Sequence, residues 1–453
     1  MRAYPKYKNS GVPWLEHVPE HWETIKTKHL FSERVQKGYP NEPLLAATQT
    51  KGVVPKSMYE NRTVEAQKDL HLLKLVEPGD FVISLRSFQG GIEYAYFRGI
   101  ISPAYTVMVP KKRILPEYYR QLAKSKKFIS LLQTCVTGIR EGQNINYEIL
   151  RNTPLPVPSE DEQQQISRFL DWQTSKIKKF IKAKKKLIAL LKEQKQNVIN
   201  EAVTKGINPD VELKDSGVEW LGQIPANWDD RFFFQSFREK SVKNTGLVEK
   251  NRLSLSYGRI IRKSIDSAEG LLPMSFETYQ IVERGDLILR LTDLQNDHKS
   301  LRVGLVQERG IITSAYLCLR TFPTIIPEYA YLLLHAYDLR KVFYSMGGGV
   351  RQSIGFSELK RLPFPVPIEE EQKTIVAKIN SECKGIDLSI EKAEREIELI
   401  QEYRTRLVSD VVTGKVDVRF VEIPDFEPVE VDLEAQDCEA SEDELITEGI
   451  EDE

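Results

Sequence analysis

The residues able to do chemistry in this chain are few, and their spacing does not suit catalysis. Six histidines occur (His17, His21, His29, His71, His298 and His335). His17 and His21 stand four apart, but Pro19 between them interrupts the helix that would set both on one face as metal ligands. The four cysteines (Cys135, Cys318, Cys383 and Cys438) include no CxxC pair. That argues against a zinc site or a disulfide framework and fits a reducing, cytoplasmic setting. Residues 209–214 read PDVELK, with carboxylates too close together for a nuclease metal site. Residues 347–353 read GGGVRQS and lack the lysine that a GxxxxGK[ST] phosphate loop requires. No [DN]PP[YF] element for methylating a flipped adenine occurs, and no glycine-rich S-adenosylmethionine loop. The expectation is a chain with no catalytic residues, no metal and no cofactor of its own.

What remains is a set of polar and basic side chains between apolar runs. Arg and Lys suit guanine edges and phosphates, while Asn and Gln suit adenine. In the first half the candidates for nucleic-acid contact are Arg86, Ser87 and Gln89 beside Gly90 and Gly91, with Tyr94, Arg140, Gln143 and Asn144. In the second they are Tyr257, Arg259, Arg290, Thr292, Gln295, Asn296, Lys299, Arg351 and Gln352. Solvated loops are the plain alternative. Charge favours a polyanion: residues 421–453 hold 15 acidic side chains and no Lys or Arg, so 64 basic face 51 acidic side chains before them. A body of about +13 suits DNA, although a solubilising tail on an ordinary protein would give the same numbers.

The elements that must carry these loops occur twice. KNSGVPWLEHVPEHW (residues 8–22) returns as KDSGVEWLGQIPANW (residues 214–228), 206 positions on. Gly and Pro set backbone geometry there and the indoles offer large apolar faces, so each copy reads as the anchor of a globule's first strand, with a docking surface as the alternative. LVEPGDFVISL (75–85) matches IVERGDLILRL (281–291) at the same offset. The Gly-Asp pairs at 79–80 and 285–286 read as turns that deliver buried strands. GIISPAYTVMVP (99–110) matches GIITSAYLCLRT (310–321) at 211, so the second copy holds an insertion in TDLQNDHKSLRVG. Proline-led helices follow at 115–125 and 326–336, and each globule leaves through a Pro-rich extended stretch ending at Pro158 or Pro367.

Two long charged helices then follow, aligned without a gap at an offset of 209. In the second, Ile379, Cys383, Ile386, Ile390, Ala393, Ile397 and Ile400 recur at spacings of four and three, a coiled-coil seam. Leu170, Thr174, Ile177, Ile181, Lys184, Ile188 and Leu191 form a weaker version in the first. Lysines border the first seam and Glu382, Asp387, Glu391, Glu394, Glu396 and Glu398 the second, which favours pairing with each other. A globule joins the end of one helix to the start of the next, so the pairing expected is antiparallel. About 45 residues give a rod of roughly 65 Å. Three roles stay open for the lysine run 182–186: facing DNA, pairing with the acidic helix, or plain solvation.

The fold expected is therefore α/β: mixed α+β globules and an intramolecular antiparallel coiled coil, duplicated about a pseudo-twofold axis. The divisions are residues 1–158, 159–206, 207–367, 368–415 and an acidic, disordered tail 416–453. No run of 18 apolar residues is present to span a membrane, and no signal peptide is visible.

The duplicated SG-[VL]-x-WL-x-x-[IV]-P-x-x-W opening, the Pro-rich exit and the EQ pair before each long helix closely resemble the specificity subunit of type I restriction-modification systems. The resemblance runs to about residue 420 and leaves out the acidic tail. It implies that each globule is a target recognition domain for one half of a split DNA sequence. It also implies that the paired helices set the spacer and dock two methyltransferase (modification) subunits, joined by motor-nuclease (restriction) subunits in the full complex. S-adenosylmethionine, ATP and Mg would then sit on those partners. The competing reading is a non-enzymatic two-headed scaffold that binds proteins.

Overall fold

The computed structural model describes residues 2–58, 69–112, 114–137, 144–264, 275–294, 301–346 and 354–426. The chain packs as two compact units, Met1–Lys184 with Arg395–Glu453, and Lys185–Glu394. The divisions fall inside the long helices and not at their ends, so each unit holds one globule and a part of both helices. Among the described residues, no helix is long and apolar enough to cross a membrane.

In the first unit a hairpin, Tyr7–Asn9 with His17–Pro19, opens the globule. Strand Glu23–Lys26 then pairs antiparallel with the Pro-rich exit strand Pro154–Val157. Alternating prolines leave that exit strand few backbone donors, which suits a two-stranded edge. A four-stranded antiparallel sheet follows in the order Phe31–Arg34, Thr106–Pro110, Phe81–Ile83, Glu93–Tyr94. A second hairpin, Leu45–Thr48 with Gly52–Pro55, closes over a small core of Leu45, Val53, Val76, Val82 and Val107. The larger core joins Trp22, Phe31, Phe81 and Tyr118 to Ile166 and Leu170 of one long helix and Val411 and Val412 of the other.

The second unit repeats this plan. Its sheet runs Phe237–Glu239, Leu317–Thr321, Leu287–Leu289, Val303–Leu305, the same order as the first. Register fixes the insertion independently of the sequence. Phe81 faces Tyr94, whereas Leu287 faces Leu305, so five residues are added between the paired strands. The opening motif repeats at the level of hydrogen bonds. Gly11 and Gly217 adopt φ of 74° and 71°, with their N–H groups donated to Asn9 Oδ1 and Asp215 Oδ1 at 2.8 and 3.0 Å. Trp22 and Trp228 are buried, which gives the motif its packing role.

The Gly-Asp turns deliver buried strands as the sequence implies. Asp80 and Asp286 are enclosed, and each accepts the N–H three residues before it at 2.8 Å. Arg34 pairs with Asp80 at 2.9 Å, and Lys240 and Arg320 pair with Asp286 at 2.6 and 2.8 Å, so the buried carboxylates are compensated.

The long helices span Glu160–Lys205 and Glu369–Val412. Three acidic residues open each, where the helix dipole favours them. Gly206 and Gly414 end them at φ of 73° and 76°, the left-handed cap. The Gln of each EQ pair ties its helix to the globule before it. Gln163 Nε2 donates to Pro158 O at 2.9 Å while its Oε1 accepts from Leu115 N at 2.8 Å, and Gln372 does the same with Pro367 and Ile326.

Within each unit the helix parts run antiparallel. In the first, Lys184 meets Glu396 at 2.5 Å, while Gln165 donates to Val418 O and Val421 O past the other helix's end. In the second, Lys195 meets Asp387 at 2.6 Å, while Gly206 lies against Glu371. The basic edge pairs with the acidic edge. Leu170, Ile177, Ile379 and Ile386 are buried, and Ile181, Ile188, Leu191, Ile390, Ile397 and Ile400 half-buried. Lys182, Lys185 and Lys186 stay exposed.

The stretch after the second helix differs from expectation. Val418 is buried, Val416, Val421 and Ile423 pack on the first core, and Asp417 bridges to Arg2. The segment from 416 to 423 is thus part of the first globule. Its alternating valines seal the surface that Tyr4 begins, and the expectation of a disordered tail for residues 427–453 lies outside the described residues.

Candidate nucleic-acid interface

In each globule two loops stand side by side: the turn of the second hairpin, and the connection that follows the central strand of the four-stranded sheet. In the first globule these are residues 49–51 and 84–92. Gln49, Thr50, Arg86 and Gln89 are exposed there. The loops touch, since a Cβ on Gly90 would lie 2.7 Å from the Gln49 side chain.

Beneath them sits an ion pair whose carboxylate is buried and whose ammonium is partly exposed. Lys124 Nζ lies 2.8 Å from both carboxylate oxygens of Glu93, and donates also to Gln49 O at 3.1 Å and Gly90 O at 3.0 Å. One ammonium thus ties both loops to the sheet. Burial pushes the Glu93 carboxyl up to about 7 against the opposing pull of Lys124. Gly91, at φ 86°, passes so close to the helix Pro116–Ala123 that a Cβ would meet Ala123 O at 2.2 Å.

The second globule solves the same problem with other residues. Its hairpin turn presents Tyr257, 77% exposed at φ 46°, with Arg259 exposed beside it. The post-strand loop is gripped by Arg302, which is fully buried. Arg302 Nη1 donates to Arg290 O at 3.0 Å and Thr292 O at 2.9 Å, Nη2 to Asp293 O at 3.4 Å, and Nε to Tyr344 Oη at 2.9 Å. Asp338 accepts the Arg302 backbone N–H at 2.6 Å. Tyr331 donates to Gly258 O at 3.3 Å, which holds the hairpin turn from below.

The predicted contact residues divide accordingly. Arg86, Gln89, Asn144, Tyr257 and Arg259 are exposed, and Arg290 and Thr292 half-buried. Ser87 is fully buried, with its Oγ accepting the Ser84 N–H at 2.8 Å, so it shapes the loop and is withdrawn from the contact set. Tyr94 is half-buried, edge-on to Phe81 and Tyr96 with ring centroids 5.4 and 4.9 Å away, and supports the sheet instead. Arg140, Gln143, Gln295, Asn296, Lys299, Arg351 and Gln352 lie outside the described residues. Sequence reading passed over Gln49, although Tyr257, named in the second copy, sits in the matching hairpin turn. It also passed over Lys124 and Arg302, whose partners are remote in sequence.

Exposed Arg and Gln on loops anchored to a sheet are side-chain types suited to base and phosphate contact. Residues 19–192 match the model of the type I restriction modification DNA specificity domain. The chain is 23% identical over 428 residues to the type I restriction enzyme MjaVIII specificity subunit of Methanocaldococcus jannaschii, covering 89% of this chain and 94% of that one. It is 22% identical over 444 residues to the putative MjaX specificity subunit of the same organism, covering 92% and 99%. In fold it resembles a chain solved in work on assembly and conformational transition of the type I R-M system, with TM-score 0.58, 13% identity and 88% and 99% coverage. Resemblance to the specificity subunits of type I restriction-modification systems, first carried by the repeated motifs, is thus established along nearly the whole chain, with their DNA specificity domain at residues 19–192.

Proposed function

We propose that this chain is the sequence-reading subunit of a type I complex, with each globule reading one half of a bipartite target in double-stranded DNA. The observation that carries the reading is the contrast inside the duplication. The two sheets share strand order and anchors, while the loops after Phe81–Ile83 and Leu287–Leu289 differ in length by five residues and place Thr292 where the first has Arg86. A shared frame under divergent loops is what two readers of different half-sites require.

The same reading gives the paired helices two tasks, setting the unspecified spacer and docking two methyltransferase subunits, with motor-nuclease subunits completing the assembly. The chain itself contributes no catalytic group. S-adenosylmethionine, ATP and Mg belong to the partners.

Selection from a random duplex pool by the chain co-purified with its methyltransferase partner tests this. The expected product is two blocks of fixed bases separated by a gap of free bases, bound with strong salt dependence. Recovery without any enriched motif would refute sequence reading, and a single ungapped block would refute the two-reader arrangement.

A further inference from the structure

Beneath the exposed loops, the two globules hold them with charged side chains that do not correspond. Glu93 faces Val82 across the first sheet, and the position facing Ile288 in the second is Gly304. Lys124 stands eight residues beyond the proline that opens its helix, and the residue eight beyond Pro327 is His335. The Lys124–Glu93 pair therefore has no counterpart in the second globule. A Cβ on Gly304 would already meet Leu255 at 2.6 Å and Ile260 at 2.8 Å, so the hairpin's apolar side chains fill the space a carboxylate would need. The loop there is held instead by Arg302, whose guanidinium donates to loop carbonyls while its backbone N–H donates to Asp338 of the helix Pro327–Leu339.

A frame that repeats the hydrogen bonds of its opening turn and of the EQ glutamines has thus been rebuilt directly under the exposed loops. What differs is which carbonyls are gripped: Gln49 and Gly90 in the first globule, residues 290, 292 and 293 in the second. Gripping a carbonyl fixes the peptide plane and with it the direction of the neighbouring side chains, here Gln49 and Gln89, and Arg290 and Thr292.

We propose that Lys124 with Glu93, and separately Arg302, are positioning residues that set base discrimination in one half-site each. They touch no base. They act through the loops, and the inference rests on the two-reader function proposed above.

The test uses the full chain assembled with its methyltransferase partner and the same random duplex pool. The variants are Lys124→Met, Glu93→Gln, Lys124→Arg and Arg302→Met. Lys124→Met is expected to blur one block, with discrimination at its positions falling about tenfold, and to leave the other block sharp. Arg302→Met blurs the opposite block. Lys124→Arg, which keeps a cation with several donors, restores the first. Glu93→Gln keeps the side chain's shape and gives the answer for that globule if Lys124→Met does not assemble. Both blocks staying sharp while affinity falls equally for every duplex would reduce these residues to structural ones and overturn the proposal. Blurring of both blocks by one variant would overturn it too. A wild-type complex that selects no gapped motif removes the underlying reading before any variant is made, so the two failures are separable.

Discussion

Trp228 donates its indole N–H to Glu371 Oε1 at 3.0 Å, whereas Glu162, in the same place of the repeat, accepts from Tyr4 Oη at 2.6 Å and meets His21 Nε2 at 2.8 Å. Trp22 Nε1 has no hydrogen-bond partner among the described residues. The duplication thus preserved the carboxylate and the indole but rewired them, because the first unit brings in Tyr4 and Arg419, whose guanidinium lies 4.9 Å from the Tyr4 ring. Glu162→Ala strands a buried tyrosine hydroxyl and is expected to cost about 2–4 kcal/mol, against about 1–2 for Glu371→Ala, which strands one indole donor. Urea unfolding of the two variants checks the order; equal losses would show that Tyr4 and His21 find other partners.

The segment after the second helix carries a related expectation. A chain ending at Phe426 keeps Val418 and its neighbours on the first core and should retain the first unit's unfolding midpoint. A chain ending at Gly414 exposes Val418, Val421 and Ile423 and loses the Gln165 contacts. Several kcal/mol are expected to go with it at roughly 1.5–3 kcal/mol per fully buried aliphatic side chain. Denaturant midpoints of the two truncations decide.

Much of this frame was legible because it is written twice. Offsets of 206, 211 and 209 located strands, insertion and helices, and opposite charge on two matched seams predicted Lys184–Glu396 and Lys195–Asp387 as the kind of contact that forms. Exposed loops were legible as polar stretches, but which of their side chains face outward was not. Ser87 looks like any polar loop residue until its Oγ turns inward to Ser84. Lys124 and Glu93 are 31 positions apart and carry no local pattern, and Arg302 sits among polar residues that resemble solvent-facing loop. The valines of 416–423 were hidden by the acidic composition that follows them.

The helix seam and its charged edge should contribute very unequally. Ile379 is 2% exposed, and Ile379→Ala should cost about 2–5 kcal/mol through lost burial and the cavity left behind. Asp387→Ala removes an ion pair whose carboxylate is 52% exposed and should cost at most about 1 kcal/mol, less in high salt. Thermal unfolding at two salt concentrations separates them. A larger loss for Asp387→Ala would mean that charge, and not the seam, holds the second unit's helices.

His335 gives the second unit an acid weakness. Burial pushes its imidazole down to about 4, with Lys195 adding to the effect, and its Nδ1 lies enclosed without a hydrogen-bond partner among the described residues. The folded unit thus keeps His335 neutral where the unfolded chain, with a pKa near ~6.5, takes up a proton. Between these values the unfolded state binds more protons, so stability present above pH ~6.5 is lost as pH falls toward 4. The loss from this group should be roughly 1–3 kcal/mol. His335→Phe keeps an aromatic ring against Tyr331, whose centroid is 5.8 Å away, and should flatten the decline. An unchanged pH profile in that variant would place the acid sensitivity elsewhere.

If the paired helices set the spacer, their length should be convertible into base pairs. One heptad added to each helix, in register so that the seam continues, lengthens the pair by ~10 Å at ~1.5 Å per residue. That corresponds to roughly three base pairs at ~3.4 Å each. The motif recovered from a random duplex pool should keep both blocks of fixed bases and gain about three free positions between them. A heptad in one helix alone breaks the register of Lys184 with Glu396 and Lys195 with Asp387 and should impair assembly without yielding a longer gap. An unchanged gap in the doubly extended chain would separate the spacer from the helices, and altered blocks would show that helix length reaches into the readers themselves.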